Sequence, residues 1–237
     1  MDVVELLPRL HLLRFPVGQA YLWRDGEELT LIDAGTIGSG RPIADGVTVL
    51  GHAPREVRRV VLTHFHEDHA GGAGEFAALS GAEVLAHHLD APFVRGEELP
   101  GPPPGFEDWE RPLHAAAARH LPPGTPVPPS SVTEVTDGDV LGFGGGAHVV
   151  HVPGHTDGSI ALYLPARGVL FTGDTVAAAP ADGTPVPGVF NLDRDRLLAS
   201  VGRLADLGAE AACFGHGAPV LSGATAALRA LVPESSR

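Results

Sequence analysis

The stretch His64-Phe65-His66-Glu67-Asp68-His69 constrains this chain more than any other part of it. It places three imidazoles and two carboxylates within six residues, just after the apolar run Val60-Val61-Leu62. Imidazole and carboxylate groups are the side chains that hold zinc and related metals. Chance packing does not explain such a density of ligand groups. The stretch therefore predicts a metal site at the end of a β-strand.

Three later motifs supply side chains of the same chemical kind. Each follows an apolar run and has a glycine beside it, and glycine permits the sharp turn that brings a short side chain inward. Together with the first stretch they give five histidines and two aspartates as candidate metal ligands: His64, His66, Asp68, His69, His155, Asp174 and His216. A catalytic zinc takes three protein ligands and a water, so seven groups suit two metals that share one bridging carboxylate.

The pattern of apolar runs and turns predicts an α/β fold. Short β-runs fill the chain up to Ile32, a helix is expected over 39–50 with Ser39 as a possible cap, and a strand is expected at Glu83 to Ala86. A second series of strands is expected to begin at Val132 to Thr136, followed by a loop at Ala177 to Gly188 and an amphipathic helix at Asp193 to Leu207. Two β-rich halves with late helices predict a four-layer αββα sandwich in a single domain, 1–237.

Residues at about 92–131 interrupt this pattern. The eleven prolines of this segment prevent regular sheet or a long helix there, and only Leu113 to Leu121 looks helical. Because candidate ligands lie on both sides, we interpret the segment as a lid-like insertion rather than a linker. The alternative is a disordered surface loop. Phe106 and Trp109 could line a substrate pocket or pack within the lid.

The amino-acid composition limits which classes of partner this chain is expected to bind. The net charge is −13, with 29 acidic residues against 16 basic ones, and all the basic residues are arginine. Nucleic-acid binding relies on clustered cations, so we expect a small-molecule substrate and no nucleic acid. A single cysteine, no signal peptide and no apolar run near the roughly 18 residues of a membrane span predict a cytoplasmic protein without membrane contact. The sequence leaves the oligomeric state open.

The pattern His64-x-His66-x-Asp68-His69, followed by His155, Asp174 and His216, resembles the metallo-β-lactamase superfamily. The Leu31-Ile32-Asp33-Ala34-Gly35 stretch resembles an early motif of that family. The resemblance implies a first metal on His64, His66 and His155, and a second on Asp68, His69 and His216. It further implies that Asp174 bridges the two metals and that Asp33 orients the histidine loop.

The resemblance implies a metal-dependent hydrolase in which a metal-bound hydroxide attacks a small ester, thioester, lactone or phosphodiester. Two Zn²⁺ per chain are expected, with Fe or Mn as possible replacements, and Asp68 is the candidate catalytic residue for proton transfer. The ligand set lacks the cysteine of the best-known β-lactamases. Only Arg229 and Arg237 follow His216, which weakens a glyoxalase II-like interpretation.

One alternative uses the same ligands for a different reaction. Sulfur dioxygenases of this superfamily bind a single iron and carry an Arg- and Asp-containing motif after the bridging aspartate, which Ala177 to Asn191 does not show. A third interpretation is a binding scaffold without catalysis. Retention of all seven ligand-type residues argues against the scaffold.

Overall fold

The computed structural model describes residues 1–101 and 107–232 of the 237-residue chain. The described residues divide into two compact units. Unit 1 contains 1–101 and 111–135, and unit 2 contains 107–110 and 136–232. Helix α5 (Glu110–Ala118) begins with the last residue of the first segment of unit 2.

Unit 1 is built on a seven-stranded sheet whose strands lie in chain order. The strands are β1 (Asp2–Leu7), β2 (Leu10–Arg14), β3 (Gln19–Asp25), β4 (Glu28–Ile32), β5 (Val57–Val61), β6 (Glu83–His87) and β7 (Thr133–Val135). Strands β1 to β4 pair antiparallel through short turns, as the sequence predicts, whereas β4 to β7 pair parallel. The carboxyl ends of β4, β5 and β6 therefore meet at one edge of the sheet.

Helices connect the parallel strands of unit 1. They are α1 (Gly40–Val49), α2 (Glu67–Ala70), α3 (Ala73–Ser80) and α4 (Ala91–Val94), with a 3₁₀ turn at Pro54–Glu56. Ile43 and Val47 of α1 and Phe76 of α3 are fully buried in a core shared with the sheet. Burial of side chains of this size contributes about 1.5–3 kcal/mol each, so this apolar face fixes the helices in place.

Helix α1 begins where the sequence predicts, but Ser39 does not cap it with its side chain. The carboxylate of Glu75 does so instead, accepting hydrogen bonds from the amides of Gly38 at 3.0 Å and Gly40 at 3.2 Å. Glycine is required at position 40, because a Cβ there would lie 2.5 Å from the Cβ of Glu75. The closeness of α3 to α1 therefore substitutes for a local cap.

The prediction that the run at Val132 to Thr136 opens the second series of strands is wrong. Strand β7 pairs parallel with β6, with Leu85 opposite Thr133 and His87 opposite Val135, and is the last strand of the first sheet. The long segment between the two strands allows this, because parallel pairing requires a crossover connection. Strand β6 also extends to His87, one residue beyond its expected end at Ala86.

Part of the segment at 92–131 packs against the rest of unit 1, as the described residues show. Helix α5 (Glu110–Ala118) starts and ends about one turn earlier than expected, since Pro122 and Pro123 disfavour helix before them. Pro128 and Val127 lie against α3, where a Cβ on Gly74 would come within 2.8 Å of the Pro128 carbonyl carbon. Of the two aromatic candidates, Trp109 is half exposed and Phe106 lies outside the described residues.

Unit 2 contains a five-stranded sheet in the order β14-β11-β10-β9-β8 and a separate two-stranded sheet. Its strands are β8 (Val140–Leu141), β9 (Ala147–His151), β10 (Ile160–Leu164), β11 (Val169–Phe171), β12 (Val176–Ala178), β13 (Pro185–Pro187) and β14 (Ala211–Cys213). Strand β10 is antiparallel to both β9 and β11, and β14 is parallel to β11. Strands β9, β11 and β14 therefore share a direction, and their carboxyl ends lie at one edge.

The expected loop at Ala177 to Gly188 is instead a hairpin of β12 and β13. Its second strand is tolerated despite two prolines because a two-stranded ribbon leaves one side of each strand unpaired. Helix α6 (Arg194–Ala205) confirms the predicted amphipathic helix, with Leu197, Val201 and Leu204 fully buried. Asp193 caps it by accepting a hydrogen bond from the Arg196 amide at 3.0 Å. Helix α7 (Ala224–Arg229) packs beside it.

Within residues 1–101 and 107–232, no helix is long and apolar enough to cross a lipid bilayer.

Candidate metal centre

In unit 1, the histidine loop follows the carboxyl end of β5. Thr63 and His64 are buried, and helix α2 begins directly after His66, so Asp68 and His69 lie in its single turn. Asp90, itself 1% exposed, accepts a hydrogen bond from the Phe65 amide at 3.0 Å. This buried carboxylate follows β6 and holds the loop against the neighbouring strand end.

Asp33 follows β4 and binds the same loop from the other side. Its Oδ1 accepts a hydrogen bond from the Thr63 amide at 2.7 Å, and its Oδ2 lies 2.8 Å from the Thr63 hydroxyl and 2.9 Å from His69 Nδ1. Asp33 has a left-handed backbone, φ +59°, which an aspartate adopts more readily than most residues. The orienting contact expected for Asp33 is therefore present.

These contacts set which nitrogen of each imidazole can act as a ligand. With Nδ1 of His69 directed at Asp33, its Nε2 faces Asp68 Oδ2 at 3.7 Å. Nδ1 of His64 lies 3.1 Å from the Thr63 hydroxyl. Ligand atoms of His64 and His66 lie within 4.8 Å of each other, and so do those of His64 and His69. Unit 1 thus gathers all four of its predicted ligands.

In unit 2, Asp174 lies between two histidines. Its Oδ2 is 3.6 Å from His155 Nε2 and 3.3 Å from His216 Nε2. The three residues follow β9, β11 and β14, whose carboxyl ends share an edge. Gly215 donates a backbone hydrogen bond to the Gly173 carbonyl at 2.9 Å, which ties the turn carrying His216 to the turn carrying Asp174.

Close backbone packing fixes the turns that carry His155 and Asp174. A Cβ on Gly154, which has φ +133°, would lie 2.3 Å from the Leu197 amide, and a Cβ on Gly188 would approach the Asp174 carbonyl oxygen at 1.8 Å. Only glycine fits at either position. Gly154, next to His155, is thereby packed against the first turn of α6, and Asp174 against Gly188, which follows β13.

Thr63, Asp90 and Asn191 support the candidate ligands through hydrogen bonds. The sequence patterns did not predict these three contacts. Asn191 Oδ1 lies 3.3 Å from His155 Nδ1, so this histidine also has a partner on the nitrogen opposite its Asp174-facing one. Asp90 precedes Ala91-Pro92, a pattern typical of a helix start, but its side chain does not cap that helix and the pattern does not indicate the contact with Phe65. Asn191 carried no signal, since a contact across 36 residues leaves no local pattern.

The donor set fits a metal such as zinc. Zinc binds imidazole nitrogen and carboxylate oxygen at about 2.0–2.2 Å, so two ligands at a tetrahedral angle lie roughly 3.3–3.5 Å apart. The separations of 3.3, 3.6 and 3.7 Å within the two units are close to this value. The Asp33–His69 contact is also the carboxylate–histidine arrangement common around metal ligands.

Glu67 and Cys213 lie close in sequence to the ligand motifs but belong to none of the potential metal-ligand groups of the described residues. Burial, with a smaller contribution from Asp68, raises the pKa of Glu67 above that of an ordinary glutamate. Complete burial raises the pKa of the Cys213 thiol, so this cysteine stays protonated at neutral pH. The pairs His87-His88 and His148-His151 belong to no group of potential metal ligands among the described residues.

The sequence model of the metallo-β-lactamase superfamily matches residues 13–216. The chain belongs to the metallo-β-lactamase superfamily. The predicted family and the α/β metallo-β-lactamase fold are therefore confirmed, and the His and Asp groups of this metallo-hydrolase family member could hold metal ions.

Similar proteins agree with this assignment. A metallo-β-lactamase family protein from Thermus thermophilus superimposes with a TM-score of 0.69 at 27% identity, covering 95% of this chain and 79% of that one. The probable metallo-hydrolase YflN of Bacillus subtilis is 27% identical over 91% of this chain and 86% of its own length. The hydroxyacylglutathione hydrolase of Maricaulis maris is 33% identical over 58% of this chain, but the match spans only 43% of that enzyme.

Proposed function

We propose that this chain is a dinuclear metal-dependent hydrolase of a small acyl substrate. Its first metal would be held by His64, His66 and His155, and its second by Asp68, His69 and His216, with Asp174 bridging both. The observation that carries the proposal is the position of Asp174 Oδ2, at 3.6 Å from one histidine nitrogen and 3.3 Å from another. These two histidines are the ones assigned to different metals.

When bound, such metals act as Lewis acids and bring a water molecule to a pKa near neutrality. The chain's own residues then have separate tasks. Asp33 accepts the Nδ1 proton of His69, which leaves Nε2 as a lone-pair donor. Asn191 does the same for His155. Asp68, with its side chain 19% exposed, is the carboxylate open enough to pass a proton to the leaving group.

A thioester is the substrate class to test first. Several relatives, including those of Maricaulis maris and Pseudomonas aeruginosa, are named hydroxyacylglutathione hydrolase, and an acylglutathione is a thioester. Small esters and lactones present the same electrophilic carbonyl. The net charge of −13 disfavours nucleic-acid phosphodiesters, because a negative field repels their many phosphates.

Metal content is the first measurement. The protein is purified without added metal, and zinc, iron and manganese are quantified by mass spectrometry per chain. Two zinc ions per chain support the proposal. A single iron with oxygen consumption on a persulfide substrate would favour the sulfur dioxygenase-like alternative instead.

The second measurement compares metal content and turnover in the same variants. Asp174→Ala is expected to lower both the metal content and kcat/KM for the best substrate in a panel of thioesters, lactones and small esters. Asp206→Ala removes an exposed acid at the end of α6 and is the matched control, expected to leave both unchanged. Full turnover by Asp174→Ala would reject the assignment.

A further inference from the structure

Glu110, a buried carboxylate 80 residues before Phe190, contacts the segment that supports His155. Glu110, 6% exposed, accepts a hydrogen bond from the Phe190 amide through Oε1 at 3.0 Å. Its Oε2 accepts another from the Glu107 amide at 3.0 Å, in the turn that directly precedes α5. One side chain thus joins residues 107–110 to position 190.

Phe190 has a backbone conformation that needs support. Its φ of +59° lies in the left-handed region, where a residue with a bulky side chain is strained. The hydrogen bond from its amide to Glu110 is a contact that holds this conformation. Loss of this hydrogen bond removes one of the contacts that oppose relaxation of the backbone toward the right-handed region.

The segment 188–193 contacts two of the three candidate ligands of unit 2. Gly188 packs so closely on Asp174 that a Cβ would approach its carbonyl oxygen at 1.8 Å. The amides of Leu192 and Asp193 donate to the carbonyls of His155 at 3.3 Å and Gly154 at 2.9 Å. A shift of Phe190 is therefore transmitted along the backbone to the turn that carries His155.

Asn191 makes the contact with the imidazole itself. Its Nδ2 donates to the Gly188 carbonyl at 2.7 Å, which fixes the amide so that Oδ1 faces His155 Nδ1 at 3.3 Å. An acceptor at Nδ1 selects the tautomer whose proton lies there, leaving Nε2 with the lone pair that a metal requires. The orientation of Asn191 depends on the backbone that begins at Phe190.

We propose that Glu110 is a positioning residue for His155, acting through Phe190 and Asn191. The proposal rests on the metal-binding role of His155 given above and extends it to a residue within the proline-rich segment. Removal of the Glu110 carboxylate takes away one support of the strained Phe190 backbone, so that Asn191 is held less well against His155 and metal binding there is weaker. Loss of such an outer partner lowers metal affinity by about 10–100-fold, and Glu110, which acts through two residues, is expected at the lower end, about tenfold.

The test compares Glu110→Ala, Glu110→Gln and Asn191→Ala with the parent protein. Zinc affinity is measured by competition with a chromophoric chelator, and ligand geometry by the visible absorption spectrum of the cobalt(II)-reconstituted protein. Glu110→Ala and Asn191→Ala are expected to weaken zinc binding and to change the cobalt spectrum. Glu110→Gln keeps an oxygen for the Phe190 amide, so its values are expected closer to those of the parent.

Asp139→Ala is the matched control. Asp139 also accepts a hydrogen bond from a backbone amide in unit 2, that of Thr136 at 2.7 Å, and it follows β7 rather than supporting segment 188–193. The loss of a structural hydrogen bond is expected to lower its melting temperature without moving the cobalt spectrum. Circular dichroism checks that each variant is folded, and Glu110→Asp replaces Glu110→Ala with the same expectation if the latter does not fold.

An affinity and a spectrum equal to those of the parent in folded Glu110→Ala would overturn the proposal. His155→Ala separates this result from failure of the proposed function. Weakened binding in His155→Ala with unchanged binding in Glu110→Ala rejects the positioning role alone. Unchanged binding in His155→Ala rejects the assignment of His155 as a ligand, and the role of Glu110 with it.

Discussion

Asp33 Oδ2 lies 2.9 Å from Nδ1 of His69, although 36 residues separate them in the chain. The contact arises because β4 and β5 are adjacent parallel strands whose carboxyl ends carry Asp33 and the histidine loop. Thr63 completes it with two hydrogen bonds to the same carboxylate, at 2.7 and 2.8 Å. A buried carboxylate with three hydrogen-bond partners therefore orients a candidate ligand.

Asp33→Asn is expected to lower metal affinity and kcat/KM by about 10–100-fold while leaving the fold intact. The amide keeps the shape of the side chain but loses the charge. Its NH₂ group cannot accept a hydrogen bond, so the contacts with Thr63 and His69 cannot all be kept. Metal titration and steady-state kinetics measure the effect. Asp45→Asn on the exposed face of α1 is the control, and an equal loss in both variants would contradict the role of Asp33.

Gly188→Ala is expected to disturb the Asp174 turn. A Cβ there would overlap the Asp174 carbonyl oxygen, whereas a Cβ on Gly142 of the same unit meets nothing within 4 Å. Urea unfolding should therefore show a loss of stability of more than about 2 kcal/mol for Gly188→Ala and a change within about 0.5 kcal/mol for Gly142→Ala. Metal content should fall only in the first variant. Equal stability of the Gly188→Ala and Gly142→Ala variants would show that the Asp174 turn accommodates a Cβ without loss of stability.

The sequence was sufficient to predict the family, both sheets in outline and the places of the candidate ligands. This was possible because each group of ligands lies just after a short apolar strand, and a glycine directly precedes each of the three ligands in the second half of the chain. Both signals are local. The partner of β7 was not predictable, because a three-residue strand beyond a long crossover has no pattern that distinguishes one sheet from the other. The contacts of Asp90 and Asn191 were not predictable for a similar reason, since a side chain bonded to a distant loop leaves no periodicity.

The stability of unit 2 is expected to depend on pH through Asp137 and Arg203. Partial burial disfavours the charged form of Asp137, but the Arg203 guanidinium at 2.8 Å and the His151 amide outweigh it and hold the pKa of Asp137 below its usual value. Because the folded-state pKa is the lower one, the stabilisation is present at neutral pH and is lost as the pH falls through that pKa.

Asp137→Asn tests this dependence. Both side chains of the pair are nearly half exposed, so the stability difference from the parent at pH 7 should be at most about 1 kcal/mol. It should shrink below about pH 3.9, the ordinary pKa of aspartate, where the parent carboxyl becomes protonated as well. Urea unfolding of both proteins at several pH values measures the difference. If the stability difference between the two proteins grew on acidification, the Asp137–Arg203 pair would not be the cause of the pH dependence.

Metal binding is expected to stabilise the folded chain, because the candidate ligands within each unit come together only when its sheet is formed. A ligand that binds the folded state alone at 100 times its dissociation constant adds about 2.7 kcal/mol to the free energy of unfolding. Treatment with a chelator should therefore lower the melting temperature, and added zinc should restore it. His64→Ala should show a smaller zinc-dependent rise than His148→Ala, which removes an exposed histidine from β9. An equal rise in both variants would mean that the zinc which stabilises the chain is bound elsewhere.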